Sequence, residues 1–180
     1  MAPAGGAPRR IGLIGGECSG KTSLAAALAT ALPACGVAEV LREFVDREGR
    51  APLRGEQSRI LAEQQAREDA AARRCPQGWL VADPAPLMTA VYSRLYFADD
   101  SLTAPAAEHA LGYQFVVWCA ADLPWTPDGL HRDGREARDR ADAIIADLVR
   151  DELEPRGIPV IRAHGSVEER VDLVRRAWQP

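Results

Sequence analysis

The feature that most constrains this chain is a glycine-rich octet at residues 15–22, which reads GGECSGKT. It matches the pattern GxxxxGK[ST] at every position. An apolar run at residues 10–14 precedes the octet, and a run rich in Ala and Leu at residues 22–32 follows it. A strand, a glycine loop and a helix in that order turn successive N–H groups and a helix N-terminus toward one anion. The octet therefore predicts a loop that binds the polyphosphate of a nucleotide, rather than a glycine-rich turn with an incidental lysine.

Three residues of this loop have specific expected contacts. Lys21 is placed to bridge the β- and γ-phosphates, and the Thr22 hydroxyl to bind Mg²⁺. Glu17 could contact the metal or a water, or it could equally face solvent. The expected ligand is ATP with Mg²⁺. The predicted nucleotide-binding residues are Gly15, Gly16, Glu17, Cys18, Ser19, Gly20, Lys21, Thr22 and Ser23.

The rest of the chain alternates short apolar runs with longer helical ones. We predict four further strands, at 37–41, 79–82, 115–118 and 158–161, and four further helices, at 56–74, 86–97, 135–153 and 167–178. Strands that are apolar throughout and alternate with helices are typical of a parallel sheet covered on both faces. We therefore predict an α/β protein with a three-layer P-loop NTPase/kinase fold, a mostly parallel five-stranded sheet and a helical lid. This single domain is expected to span residues 10–180, after a flexible arm at 1–9.

Composition excludes some classes of function. The 180 residues carry 22 Lys and Arg against 26 Asp and Glu, a formal charge of −4 without a basic run. We therefore expect no general nucleic-acid binding. We also expect no membrane span, because no apolar stretch approaches roughly 18–20 residues. The four cysteines lie far apart without a CxxC pair, which favours reduced thiols in a cytoplasmic protein over zinc. The sequence leaves open a homodimer.

Ligands of parallel sheets bind beyond the carboxyl ends of the strands, so the residues after each predicted strand are candidates for chemistry. Arg42 and Glu43 follow the second predicted strand. Glu43 could accept the proton of an attacking hydroxyl or position that hydroxyl, and Arg42 could hold a phosphate. Asp83 follows the third strand and suits a Walker-B role on the metal. The competing interpretations are a surface Arg–Glu pair and a simple Asp-Pro turn.

Two further positions are candidates for binding the substrate. Gln64 shares a helical stripe with Ile60 and Glu68, which indicates a cleft lining, although a solvated helix face is the commoner arrangement for such a glutamine. Trp125 lies on a loop at 123–129 and could stack on a planar ring, or could equally pack as a partly buried side chain.

A cluster of arginines follows that loop. Arg132, Arg135 and Arg138 recur at every third residue and share one face of a predicted helix. They favour a mobile lid that brings guanidinium charge to the transferring phosphoryl group, with Arg132 and Arg135 as catalytic candidates. Interleaved acidic residues support an alternative, an ordinary helix with salt bridges of about 0.2–0.5 kcal/mol per pair.

Five segments resemble the kinase domain of bacterial NadR-type proteins, which are nicotinamide riboside kinases with a P-loop kinase fold. In chain order they are IGLIGGECSGKTSLAAALA, LREFV, ILAEQQAREDA, VADPAPLMTAVYSRLYF and DLPWTPDGLHRDG, and the resemblance spans about positions 10 to 176. It implies ATP-dependent phosphorylation of a ribonucleoside 5′-hydroxyl, with nicotinamide riboside or a related nucleoside as acceptor and a place in NAD biosynthesis.

Carried over to this sequence, the resemblance implies that Lys21 and Thr22 serve ATP and Mg²⁺. Glu43 and Asp83 would lie near the substrate hydroxyl and the metal, and Asp128 would contact the substrate just before the lid. The chain departs from the family pattern where Asp83-Pro84-Ala85 replaces the frequent Asp-Thr-Asp. The resemblance therefore supports a small-molecule kinase more firmly than one particular acceptor. The alternative is a regulatory P-loop nucleotide-binding module that transfers nothing.

Overall fold

The computed structural model describes residues 8–32, 34–75, 78–125 and 134–178. Within them, five parallel strands form one sheet in the order β2-β3-β1-β4-β5. The strands are β1 (Arg9–Ile14), β2 (Ala34–Val37), β3 (Trp79–Ala82), β4 (Phe115–Cys119) and β5 (Val160–Ala163). The helices are α1 (Lys21–Ala31), α2 (Val40–Glu48), α3 (Gln57–Arg74), α4 (Leu87–Phe97), α5 (Thr103–Ala110), α6 (Arg135–Leu148) and α7 (Val167–Trp178).

The sheet is buried on both faces, because the side chains of β1 and β4 alternate between two separate cores. Ile11 and Leu13 of β1 pack in one core with apolar residues of α1 and α7. The other core joins Val116 of β4 to the apolar faces of α4, α5 and α6. This arrangement of helix, sheet and helix confirms the predicted three-layer α/β fold with a parallel five-stranded sheet.

The second predicted strand, at 37–41, is wrong. The strand lies three residues earlier, at Ala34–Val37, where it pairs with β3. Val40 then begins α2, because Val40 and Phe44, four residues apart, form an apolar stripe that packs on Ile60 of α3. The sequence VAEVL is compatible with a strand, and the contact with α3 decides in favour of a helix. This correction moves Arg42 and Glu43 from a strand end onto a helix.

Other boundaries differ less. Helix α6 ends at Leu148 and continues as a π-helical segment, Val149–Leu153, and β5 starts at Val160 rather than at residue 158. Helix α5 was not predicted. Arg9, assigned to the flexible arm, already belongs to β1. Among the described residues, no helix is long and apolar enough to span a bilayer.

The expectation that all four thiols are reduced is wrong for two of them. Cys35 of β2 and Cys75, directly after α3, form a disulfide that ties the edge strand to the end of that helix. Cys18 and Cys119 are outside this disulfide and keep the reduced thiols that the sequence predicts.

Candidate active site

The glycine-rich loop lies at the carboxyl end of β1 and leads directly into α1. Gly15 has φ 151° and Gly20 has φ 79°, backbone angles that favour glycine. A Cβ on Gly15 would lie 2.5 Å from the Ser19 Oγ and 2.7 Å from the Cys119 carbonyl oxygen. The buried Ser19 hydroxyl donates to the Gly16 carbonyl at 2.7 Å. Close packing around Gly15 and the Ser19 hydrogen bond therefore both contribute to the shape of the loop.

The Lys21 side chain folds back over the loop. Its Nζ donates to the carbonyl oxygens of Gly15 and Gly16, both at 2.8 Å. Burial lowers the pKa of Lys21, and the negative charges of neighbours such as Glu39 and Asp83 oppose that shift. Lys21 is thus a desolvated cation held beside carboxylates.

One cavity of about 630 Å³ extends from this loop to the helices beside it. At its phosphate end it is lined by residues 17–23 of the loop and α1. At its other end, which we call the acceptor end, it is lined mainly by α2, α3 and α4 through Leu41, Val45, Gln57, Tyr92, Tyr96 and Phe97. This volume falls within the ~300–1,000 Å³ typical of small-molecule sites.

Glu39 lies between the two ends, at the residue that precedes α2. Burial raises the pKa of Glu39 above 4.5, and the charges of Lys21 and Arg42 oppose that rise. The Arg42 Nε lies 3.7 Å from the Glu39 carboxylate, and both residues line the cavity. Sequence reasoning missed Glu39 because the second strand was placed too late. With β2 ending at Val37, Glu39 becomes the carboxylate that follows that strand.

Glu43 occupies a different position from the one predicted. It lies one turn further along α2, outside the cavity lining, with its side chain 49% exposed. The hydrogen bond from Arg67, at 2.7 Å, lowers the pKa of the Glu43 carboxyl. Glu43, which we expected near the substrate hydroxyl and the metal, therefore lies outside the cavity lining, and Glu39 lies in it.

Asp83 follows β3, as expected, and lines the cavity together with Thr22. The peptide bond from Asp83 to Pro84 is cis. The Asp83 Oδ1 atom is buried and has no hydrogen-bond partner in the part of the chain that the structure describes. Since buried polar atoms are nearly always paired, this oxygen points to a ligand.

Gln64 is buried, so it does not belong to a solvated helix face. Its Oε1 accepts a hydrogen bond from the Val40 N–H at 2.9 Å. Its Nε2 is buried without a partner among the described residues, and Gln64 borders a water-sized cavity of about 10 Å³ beside Glu39 and Tyr92. Gln64 therefore secures the start of α2, and so the position of Glu39.

The predicted lid is only partly described. Asp128 and Arg132 lie outside the described residues. Arg135 is exposed at the start of α6 and does not line the cavity, and Trp125 is half-buried and does not line it either. Arg138, in contrast, is buried: its guanidinium donates to the Leu123 carbonyl at 2.9 Å.

Arg138 also fixes the close approach of α6 to the phosphate loop. A Cβ on Gly16 would lie 2.8 Å from the Arg138 Cγ and 3.0 Å from its carbonyl oxygen. The third arginine of the predicted face thus packs against the loop, whereas Arg135 lies at the surface.

Sequence reasoning missed Arg170 of α7, which is only 1% exposed. Its guanidinium forms an ion pair with Asp122 and donates to the Ser19 carbonyl. Its Nε donates to the Gly165 carbonyl at 3.0 Å. Arg170 thereby connects the phosphate loop to the segments that follow β4 and β5. The sequence feature that could have revealed its burial is a charged residue on the same helical stripe as Val167 and Val174.

A family model described as an AAA domain matches residues 10–170 of the sequence. The chain belongs to the AAA domain family. A comparison of this AAA domain with the sequences of curated proteins finds no significant match.

The solved structures that share this fold include proteins named as kinases. A NadR protein in complex with NR superposes with a TM-score of 0.69 at 17% identity, over 94% of this chain and 51% of that chain. A NadR protein in complex with NAD and AMP-PNP gives a TM-score of 0.72 at 18% identity, over 94% of this chain and 49% of that chain. Deoxyadenosine kinase from M. mycoides with bound dATP gives a TM-score of 0.64 at 9% identity, over 93% of this chain and 97% of that chain.

This AAA domain thus spans about half the length of the NadR chains and nearly all of the deoxyadenosine kinase. The resemblance to NadR-type kinase domains is confirmed at the level of the fold, which is that of P-loop kinases.

Proposed function

We propose that this chain is an ATP-dependent small-molecule kinase that transfers the γ-phosphate to a nucleoside hydroxyl. Nicotinamide riboside or a related nucleoside is the proposed acceptor. The observation that carries the proposal is the single cavity that joins the phosphate loop to an aromatic acceptor end, with Glu39 and Asp83 between them. A site that only bound nucleotide would need neither the second compartment nor two carboxylates facing it.

The phosphate end supplies the binding of ATP. The N–H groups of the loop and of the start of α1 hold the phosphates, and Arg170 keeps the loop in shape from behind. Lys21 exchanges the carbonyls of Gly15 and Gly16 for phosphate oxygens and so neutralises charge on the transferring group. Glu17 to Ser23 surround the same anion.

The residues present fit Mg²⁺, because Thr22 offers a hydroxyl and Asp83 a buried carboxylate oxygen without a partner among the described residues. Thr22 would bind the ion directly, and Asp83 would hold it directly or through water. Bound there, Mg²⁺ would neutralise charge on the β- and γ-phosphates.

Glu39 positions the acceptor. Its carboxylate accepts a hydrogen bond from the hydroxyl that attacks the γ-phosphorus and takes the proton as the new P–O bond forms. The bond between the γ-phosphorus and the bridging oxygen breaks, and ADP leaves with that electron pair. Alignment of these groups is the main contribution of the protein to such a transfer.

Acceptor-dependent release of ADP tests the proposal. The chain is incubated with ATP and Mg²⁺ and with nicotinamide riboside, adenosine, cytidine or deoxyadenosine, each added singly. We expect ADP in proportion to one added nucleoside, and a nucleoside monophosphate of matching mass. Nucleotide binding without any acceptor-dependent turnover would instead favour a regulatory module.

A further inference from the structure

The acceptor end of the cavity has an aromatic wall contributed by α4. Tyr92 and Tyr96 stack with their ring centroids 6.2 Å apart and their planes 29° apart, and Phe97 lies beside them. Tyr96 is 45% exposed and Leu53, on the rim of the same cavity, is 61% exposed. Large apolar surfaces that line a cavity and stay open to it suit a flat ring that packs against them.

Gln57, the first residue of α3, lines the same end of the cavity and is only 3% exposed. Its Oε1 is buried and has no hydrogen-bond partner anywhere in the described ranges. A buried amide oxygen left without a donor costs free energy, and most such atoms in proteins are paired. A ligand N–H that reached this atom would remove that cost.

The other polar side chains around this end are already engaged or lie elsewhere. Arg42 is exposed and pairs with Glu39. Gln64, whose Nε2 is also buried without a partner among the described residues, lines the adjoining water-sized cavity and not this one. Among the described residues, Gln57 is thus the buried side chain of the acceptor end that carries an unpaired hydrogen-bonding atom.

We propose that Gln57 determines acceptor specificity by accepting a hydrogen bond from an exocyclic N–H on the edge of the flat ring. The ring packs against Tyr92 and Tyr96, and its edge faces the Gln57 Oε1. A carboxamide or an exocyclic amino group carries such an N–H, whereas an unsubstituted ring does not. This inference rests on the proposed function, because it names the class of acceptor that the kinase selects.

The test compares matched nucleosides with and without the exocyclic group. Nicotinamide riboside is paired with pyridine riboside, and adenosine with purine riboside, and kcat/KM is measured by ADP release. Of the two N–H-bearing nucleosides, we consider the one that the unmodified protein phosphorylates more efficiently. Its kcat/KM should be at least about tenfold higher than that of its unsubstituted partner, mainly because its KM is lower.

Three variants decide the role of Gln57. In Gln57→Leu the preference should fall to about twofold or less, with kcat/KM for the unsubstituted analogue little changed. In Gln57→Glu, which keeps an acceptor oxygen at the same place, the preference should persist. Gln65→Leu is the matched control, because Gln65 is on the same helix and donates to the Pro105 carbonyl outside the cavity; it should keep the full preference.

Persistence of the preference in Gln57→Leu would overturn the inference, as would its absence from the unmodified protein. If no nucleoside is phosphorylated at all, the proposed kinase function fails, and calorimetric binding of the same four nucleosides then decides about Gln57. A binding preference that Gln57→Leu abolishes would uphold the inference, and equal or absent binding of all four would overturn it.

Discussion

The two ends of the cavity are built in opposite ways. At the phosphate end, hydrogen bonds satisfy the loop from within and from behind, through Ser19, Lys21 and Arg170. At the acceptor end, the Gln57 Oε1 has no partner in the described residues, and Tyr96 and Leu53 are 45% and 61% exposed. The side chains that hold the loop are thus already paired, whereas Gln57 at the other end keeps an unpaired buried oxygen.

This difference follows from what each end recognises. A triphosphate offers the same oxygens in every nucleotide, so a pre-organised ring of main-chain N–H groups serves all members of a fold. An acceptor has its own shape and its own hydrogen-bonding edge. The compartment proposed for it is therefore made of side chains whose polar atoms can form hydrogen bonds with that edge. In the proposed kinase, the phosphate end therefore defines the class of chemistry, and the acceptor end defines the substrate.

The largest effect is expected at the phosphate end, from Lys21→Ala. Phosphoryl transfer should slow by about a thousandfold, because the variant removes the positive charge from the transferring group. Lys21 is the single lysine in the sequence, so no neighbouring lysine can replace it. The far-UV and near-UV circular dichroism should stay unchanged, since among the described residues the side chain bonds to the carbonyls of Gly15 and Gly16 alone. Activity within tenfold of the unmodified protein would rule out this site for the transfer.

A second comparison is between two glutamates of neighbouring helical turns. Glu39→Gln should lower kcat about a hundredfold, because a neutral amide cannot take the acceptor proton. Glu43→Gln should leave kcat within about twofold, because that carboxylate bonds to Arg67 outside the cavity. Steady-state rates at saturating ATP measure both. The opposite ranking would restore Glu43 to the site.

The pH dependence sharpens this comparison. Burial raises the pKa of Glu39, so its carboxylate should take up a proton at a higher pH than an ordinary glutamate does. The rate should therefore fall as the pH is lowered through that raised pKa, and the acidic limb should disappear in Glu39→Gln. The Arg67 hydrogen bond lowers the pKa of Glu43, so Glu43→Gln should leave the limb in place.

A smaller effect on turnover is expected from Arg170→Met, which removes the support behind the phosphate loop. KM for ATP should rise about tenfold with little change in kcat. Thermal unfolding should occur at a lower temperature, since breaking a buried ion pair costs roughly 3–5 kcal/mol, less here because Asp122 is partly exposed.

Adding Asp122→Asn to Arg170→Met should restore part of the stability but not the ATP affinity. Arg175→Met, at an exposed position of α7, is the control. An unchanged KM for ATP in Arg170→Met would remove Arg170 from nucleotide binding.

Sequence patterns were sufficient where the information is local. The octet at 15–22 predicted the loop, and the apolar runs at 79–82 and 115–118 predicted two central strands within one residue. Asp83 was found because it directly follows such a strand. Each of these depends on a few adjacent residues and on a sheet that buries both faces.

Patterns failed where distant segments decide. The contact between α2 and α3 turned a predicted strand end into a helix, which exchanged Glu43 for Glu39 as the carboxylate in the cavity. Arg170 lies 151 residues from Ser19, the residue whose carbonyl it holds. No spacing in the sequence could relate the two.

The sequence by itself thus determined the layered α/β fold and the phosphate loop, because hydrogen bonds and burial within single strand–loop–helix units dictate both. Only the tertiary structure decided which carboxylate lines the cavity, which arginines support the loop and which glutamine lies in the cavity wall. Those assignments depend on how α2, α3, α4 and α7 pack, and the packing of helices on a sheet is set by contacts between residues far apart in the chain.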